Sequence, residues 1–187
     1  MPEERLPPNQ ADIPHFRVLS IRGAPTTDPK DWKLRISGEV EEERTLSYND
    51  VLALPRKKVR ADIHCVEGWS VLDTEWEGFS TTEMKGVVKI KDSAGFVIAH
   101  CVEGYTTNLT AEDFFAEDSV LAYRLNGKEL SREQGYPLRL VVPRLYFWKS
   151  AKWVNGIEFS ATDRKGYWEQ RGYHNHGDPW REERFRD

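Results

Sequence analysis

One pentapeptide occurs twice, and its residues could do chemistry. His64-Cys65-Val66-Glu67-Gly68 returns as His100-Cys101-Val102-Glu103-Gly104. Each copy is followed by an aromatic and a hydroxyl residue, Trp69-Ser70 and Tyr105-Thr106. A thiolate is a nucleophile and a soft metal ligand. Taken alone, a single cysteine reads first as a small buried hydrophobe. Zinc held by His64, Cys65, His100 and Cys101 is the simplest metal reading. It fits poorly, because neighbouring strand residues point to opposite faces and the Cys-x-x-Cys spacing is absent. Each copy follows a predicted strand, so both turns can face one cavity.

Two further groups carry chemistry. Trp148-Lys149-Ser150-Ala151-Lys152-Trp153 brings two cations and a hydroxyl within four residues, a candidate phosphate cradle. Without support, such a run is a solvated strand. The tail holds Trp168, Arg171, Tyr173, His174, His176 and Trp180. It reads as an arm whose aromatics pack on the domain.

The elements that must position these residues are short. Residues 1–15 read as an irregular arm, and Phe16 to Ile21 as a first strand. Trp32 to Val40 alternates with period two, as a half-buried strand does. Ser47 with Asp50 opens a short helix that Pro55 ends. Lys58 to Ile63 is the strand that leads into Cys65. Residues 71–79 read as a loop or weak strand, with a short helix from Thr81. Gly95 to Ala99 is a buried strand leading to His100 and Cys101, and Thr110 with Asp113 caps another helix. Val120 to Leu125 followed by Asn126-Gly127 signals a hairpin. Pro137 to Val142 and Trp153 to Phe159 are two more strands, and residues 166–187 form the C-terminal arm. Short strands with few helices predict an α+β domain of mixed β-sheets with short helices, spanning 1–187. No glycine-rich phosphate loop follows a strand, which argues against a nucleotide enzyme.

With 187 residues, a net charge of −4 and scattered basic residues, the chain offers nucleic acid no basic face. No run approaches the ~18 apolar residues of a membrane span. The first residues show neither a secretory signal nor a twin-arginine pair. Two cysteines make no disulfide framework and suit a reducing compartment. A cytoplasmic protein is the expectation.

Together the motifs resemble the sulfite oxidase superfamily of molybdopterin-dependent oxidoreductases, in its short bacterial sulfite oxidase-like branch. The resemblance runs from about Phe16 to the C-terminus. It rests on Asp62-Ile63-His64-Cys65-Val66-Glu67-Gly68-Trp69-Ser70, Gly104-Tyr105-Thr106-Thr107-Asn108-Leu109, Gly135-Tyr136-Pro137-Leu138-Arg139-Leu140-Val141-Val142-Pro143 and the Trp148–Trp153 run. It implies a sulfite oxidase-type molybdopterin-binding fold and molybdenum-molybdopterin as cofactor. Cys65 falls on the thiolate ligand to molybdenum, kept deprotonated by the metal and neighbouring cations. Arg139, Ser150, Ala151 and Lys152 fall on positions that bind the pterin and its phosphate, with Lys149 beside them. Arg17, His64 and Cys101 fall among cofactor-lining positions, and Tyr105 matches the active-site tyrosine near the metal. The implied activity is two-electron oxygen-atom transfer on a small sulfur or nitrogen compound, with an unidentified electron-transfer partner. The alternative is a non-catalytic molybdopterin- or metal-binding module. The arginines that follow the ligand cysteine in sulfite oxidases are replaced here by Val66, Glu67, Gly68 and Trp69. That run is more like the protein-methionine-sulfoxide reductase branch.

Overall fold

The computed structural model describes residues 5–186. Among them eleven strands form two sheets. In chain order the strands are β1 (Ala11–Asp12), β2 (Lys33–Gly38), β3 (Arg44–Ser47), β4 (Arg56–His64), β5 (Trp69–Ser80) and β6 (Phe96–Cys101). They continue with β7 (Thr106–Thr110), β8 (Val120–Leu125), β9 (Lys128–Glu129), β10 (Arg139–Val141) and β11 (Val154–Ser160). The first sheet runs β1-β5-β8-β10, with β4 paired to β5 and β9 to β8. The second runs β3-β2-β11-β6-β7. Both mix parallel with antiparallel pairs: β1 is parallel to β5, and β2 to β11. The helices are one or two turns long: α1 (Tyr48–Ala53), α2 (Met84–Val87) and α3 (Ala111–Phe114). Ser47 and Asp50 cap each other's backbone at α1, and Thr110 accepts from the Asp113 N–H at α3.

The main core draws on both sheets, including Leu34, Ile36, Val97, Ile157, Phe79 and Leu121. A second cluster covers the other face of the first sheet, around Val59, Ile63, Trp76 and Val141. Period-two alternation then decides where β10 sends its side chains. Leu140 enters the main core, while Val141 joins the second cluster. Arg139 shares the face of Val141, which lays its guanidinium over Phe147 at 4.4 Å and Trp76 at 5.0 Å. Cys65 follows Ile63 at the same spacing and ends that face in a small cluster with Trp69 and Val71.

Three expected elements differ. Residues 71–79 are the body of β5, the longest strand. Bulges opposite Ala61/Ile63 and at Glu77/Gly78 break its alternation, with Asp73 at φ 56°. A side chain at Gly78 would place its Cβ 2.0 Å from the Leu121 carbonyl, so only glycine lets β5 and β8 approach there. Phe16 to Ile21 forms no strand: Phe16 packs inward, stacked on Phe147 at 5.3 Å, while Val18 and Leu19 lie exposed. The N-terminal arm is not wholly irregular either, since Ala11–Asp12 pairs with Trp69 and Ser70. Among the described residues, no helix is long and apolar enough to cross a membrane.

Candidate functional site

The repeated pentapeptide folds the same hairpin turn twice, once in each sheet. Gly68 N–H donates to the Cys65 carbonyl at 3.0 Å, and Gly104 N–H to the Cys101 carbonyl at 2.9 Å. Cys65 N–H donates to Trp69 O at 2.8 Å, and Cys101 N–H to Tyr105 O at 3.0 Å. Gly68 and Gly104 sit at φ 88° and 86°, the left-handed corner of a three-residue hairpin loop. Both turns border one cavity of about 520 Å³, in the size range of cofactor sites.

Cys65, Val66 and Glu67 line it from the first turn, Glu103 and Tyr105 from the second. Arg17, Arg139, Ser150, Ala151 and Lys152 also line it. Three expected residues do not. His64 turns to Ser70 Oγ at 2.8 Å, and Cys101 is buried behind the wall. Lys149 is the clearest correction. Its ammonium pairs with Glu169 at 2.7 Å and donates to Asn108 O at 2.8 Å and Asn175 O at 2.7 Å. It therefore braces the C-terminal arm and has no donor left to converge with Lys152 on a phosphate. Among the described residues no group of three or more His, Cys, Asp and Glu is placed to hold a metal, so the zinc reading has no support.

Among the described residues neither Arg139 nor Lys152 forms a salt bridge, although Glu103 and Glu133 are close enough to raise the Lys152 pKa. Arg139 donates from Nη1 to Gln134 O at 2.9 Å and from Nη2 to Ser150 O at 2.8 Å. Its buried Nε has no acceptor among the described residues. Burial pulls its pKa down to about 9. Lys152 Nζ donates to the carbonyls of Leu19 and Glu133, and burial then Arg139 lower it to about 8. A buried guanidinium with an unpaired Nε and a half-buried ammonium on one wall suit a bound anion.

Cys65 is buried, and burial pushes its thiol up to about 12 despite Arg184 and Arg17 nearby. Neighbouring cations alone do not make the thiolate, contrary to expectation; a bound metal ion would. Arg184, from the C-terminal arm, donates to the Val66 carbonyl, and Gln10 donates to the Cys65 carbonyl at 3.0 Å. The two arms thus clamp the turn that carries Cys65.

The expected tyrosine is otherwise engaged. Tyr105 Oη donates to Trp148 O at 2.6 Å, and burial raises its pKa well above the usual value. Tyr173, expected to pack within the C-terminal arm, lines the cavity. Burial is the first cause that raises its pKa, followed by Cys65 and Glu67. Trp168 stacks on it at 4.9 Å and Trp148 meets it edge-on at 5.0 Å. No periodicity marks Tyr173; only the fold brings it to the cavity that Cys65 lines.

Residues 22–168 match the model of the oxidoreductase molybdopterin binding domain, most of the chain. The chain belongs to that family. It is a molybdopterin oxidoreductase of the sulfite oxidase type. It is 48% identical over 182 residues to the uncharacterized oxidoreductase YuiH of Bacillus subtilis, covering 97% of this chain and 92% of that one. It is 30% identical to the protein-methionine-sulfoxide reductase catalytic subunit MsrP of Campylobacter jejuni, covering 89% of this chain and 63% of the relative. Sulfite oxidase of Arabidopsis thaliana is 26% identical over 77% of this chain, which spans 46% of that enzyme. The fold matches the sulfane dehydrogenase SoxCD of Paracoccus pantotrophus with a TM-score of 0.69 and 23% identity, over 75% of this chain and 41% of that one. The orphaned Arg139 Nε, the Lys152 ammonium held by two carbonyls and the Cys65 thiol at the wall fit the family's cofactor.

Proposed function

We propose that this oxidoreductase holds molybdenum-molybdopterin through Cys65 as the metal ligand and through Arg139, Ser150, Ala151 and Lys152 at the phosphate. It would transfer an oxygen atom to or from a small neutral sulfur or nitrogen oxide. The carrying observation is a soft thiol and two cations held by backbone carbonyls, lining one cavity. When bound, the cofactor supplies two-electron oxygen-atom transfer; the chain supplies position, charge and protons. Tyr173, which lines the same cavity as Cys65, is the proposed proton donor. Glu67 lines the same cavity and holds the Trp69 Nε1–H at 3.1 Å. Its carboxylate repels an anion such as sulfite and tolerates a neutral S-oxide or N-oxide. The likeness to MsrP, named for methionine sulfoxide, supports the same choice. Two unpaired cysteines favour a reducing, cytoplasmic setting, where a separate electron-transfer partner would serve the site.

The test is protein purified from cells supplied with molybdate, assayed for molybdenum and then against S-oxides, N-oxides and sulfite with a redox dye. Molybdenum near one per chain with turnover of a neutral oxide is expected. Metal-free protein contradicts the proposal, and so does efficient sulfite oxidation with no turnover of any oxide. A loaded protein that turns over nothing leaves the binding-module alternative standing.

A further inference from the structure

The two matching turns differ in one respect. In the first, the Glu67 carboxylate accepts the indole N–H of Trp69, two residues on. In the second, the equivalent aromatic is Tyr105, which has no ring N–H. Its hydroxyl is turned away to the Trp148 carbonyl. The equivalent carboxylate, Glu103, is left without that partner. Its Oε2 is buried and has no hydrogen bond among the described residues. Yet Glu103 lines the same cavity as Arg139 and Lys152. An orphaned buried carboxylate oxygen is costly unless a donor arrives with the ligand.

An ionised carboxylate only accepts hydrogen bonds, and it pairs best with two parallel N–H donors. The amino-pyrimidinone edge of a pterin presents such a pair, its 2-amino group and the adjacent ring N–H. We propose that Glu103 is the residue that recognises the pterin ring, accepting those donors. The inference rests on the proposed cofactor and adds a recognition residue to it. Burial raises the Glu103 carboxyl above its ordinary value, opposed by its own backbone N–H and then by Lys152 and Arg22. Phosphate recognition by Arg139 and Lys152 and ring recognition by Glu103 then come from separate groups on one wall.

The experiment compares pterin with lumazine, which carries a carbonyl in place of the 2-amino group. Cofactor-free protein, made in a host unable to synthesise the cofactor, is titrated with each compound by quenching of tryptophan fluorescence. Wild type should prefer pterin by roughly tenfold or more, the scale of one charge-assisted hydrogen bond. Glu103→Gln should remove that preference while keeping the thermal midpoint, and Glu103→Ala should do likewise. Equal binding of pterin and lumazine by wild type, or an unchanged preference in Glu103→Gln, overturns the proposal. In a cofactor-producing host, Glu103→Gln should hold several-fold less pterin and molybdenum than wild type. Wild-type protein without molybdenum from that host would overturn the proposed function instead, and the pterin–lumazine comparison would still decide Glu103.

Discussion

Lys149 and Glu169 meet at 2.7 Å with their side chains 1% and 0% exposed, an ion pair sealed inside the protein. Thr107 Oγ1 and Trp148 Nε1 both donate to the same carboxylate oxygen at 2.9 Å. Glu169 belongs to the C-terminal arm, so the pair fastens that arm to β7 and to the Trp148 segment.

Breaking this pair should cost stability rather than cofactor specificity. Glu169→Ala or Lys149→Ala leaves an uncompensated buried charge, a loss of about 3–5 kcal/mol by chemical denaturation. The Lys149→Met, Glu169→Gln double variant removes both charges and should recover most of it. Lys152→Ala, by contrast, should fold normally and retain far less molybdenum. If Lys149→Ala is as stable as wild type but cofactor-free, the assignment of these two lysines is reversed.

A second anchor of the same arm titrates. His176 lies 2.7 Å from Glu183 and 3.3 Å from Asp113, and those carboxylates, Asp113 foremost, raise it to about 9. A raised histidine contributes stability that is complete below its unfolded pKa of about 6.5 and is lost as pH rises through about 9. The side chain is 39% exposed, so the contribution is about 1 kcal/mol rather than the full linkage value. Thermal midpoints of wild type minus His176→Gln, taken from pH 6 to 10, should shrink across that window. A flat difference contradicts the anchor.

Much of this was legible in the sequence, and the misses have physical causes. Alternation and caps located β2, α1, β6, α3 and β8 because each obeys a local rule. β5 was obscured by its two bulges and by Glu77, a carboxylate only 4% exposed. β7, reading Thr106-Thr107-Asn108-Leu109-Thr110, has too few apolar residues to alternate visibly. Cys65, Arg139, Ser150 and Lys152 were visible as motifs and do line one cavity. Lys149 was misplaced because adjacent residues diverge in direction, and its carboxylate partner lies twenty positions away in sequence. Tyr173 and Glu103 carry no local signal, since their roles depend on which turn or arm lies opposite.

The two tyrosines should separate cleanly. Tyr173→Phe should keep its molybdenum and lower kcat by about tenfold to a thousandfold, the scale of a positioned proton donor. Tyr105→Phe leaves the buried Trp148 carbonyl without a donor and should cost about 1–3 kcal/mol of stability, with kcat nearly unchanged. Steady-state kinetics paired with denaturation curves will show which residue does which. Equal kcat loss in both variants would place Tyr105 in the chemistry after all.

Cys65 as the protein's ligand to molybdenum is the central claim. X-ray absorption at the molybdenum edge counts the sulfur atoms bound to the metal. Wild type and Cys65→Ser should be compared, each purified from cells supplied with molybdate. The account predicts one fewer sulfur in Cys65→Ser, with pterin still present and activity abolished. An identical sulfur count in the two proteins, or an active Cys65→Ser enzyme, would contradict it.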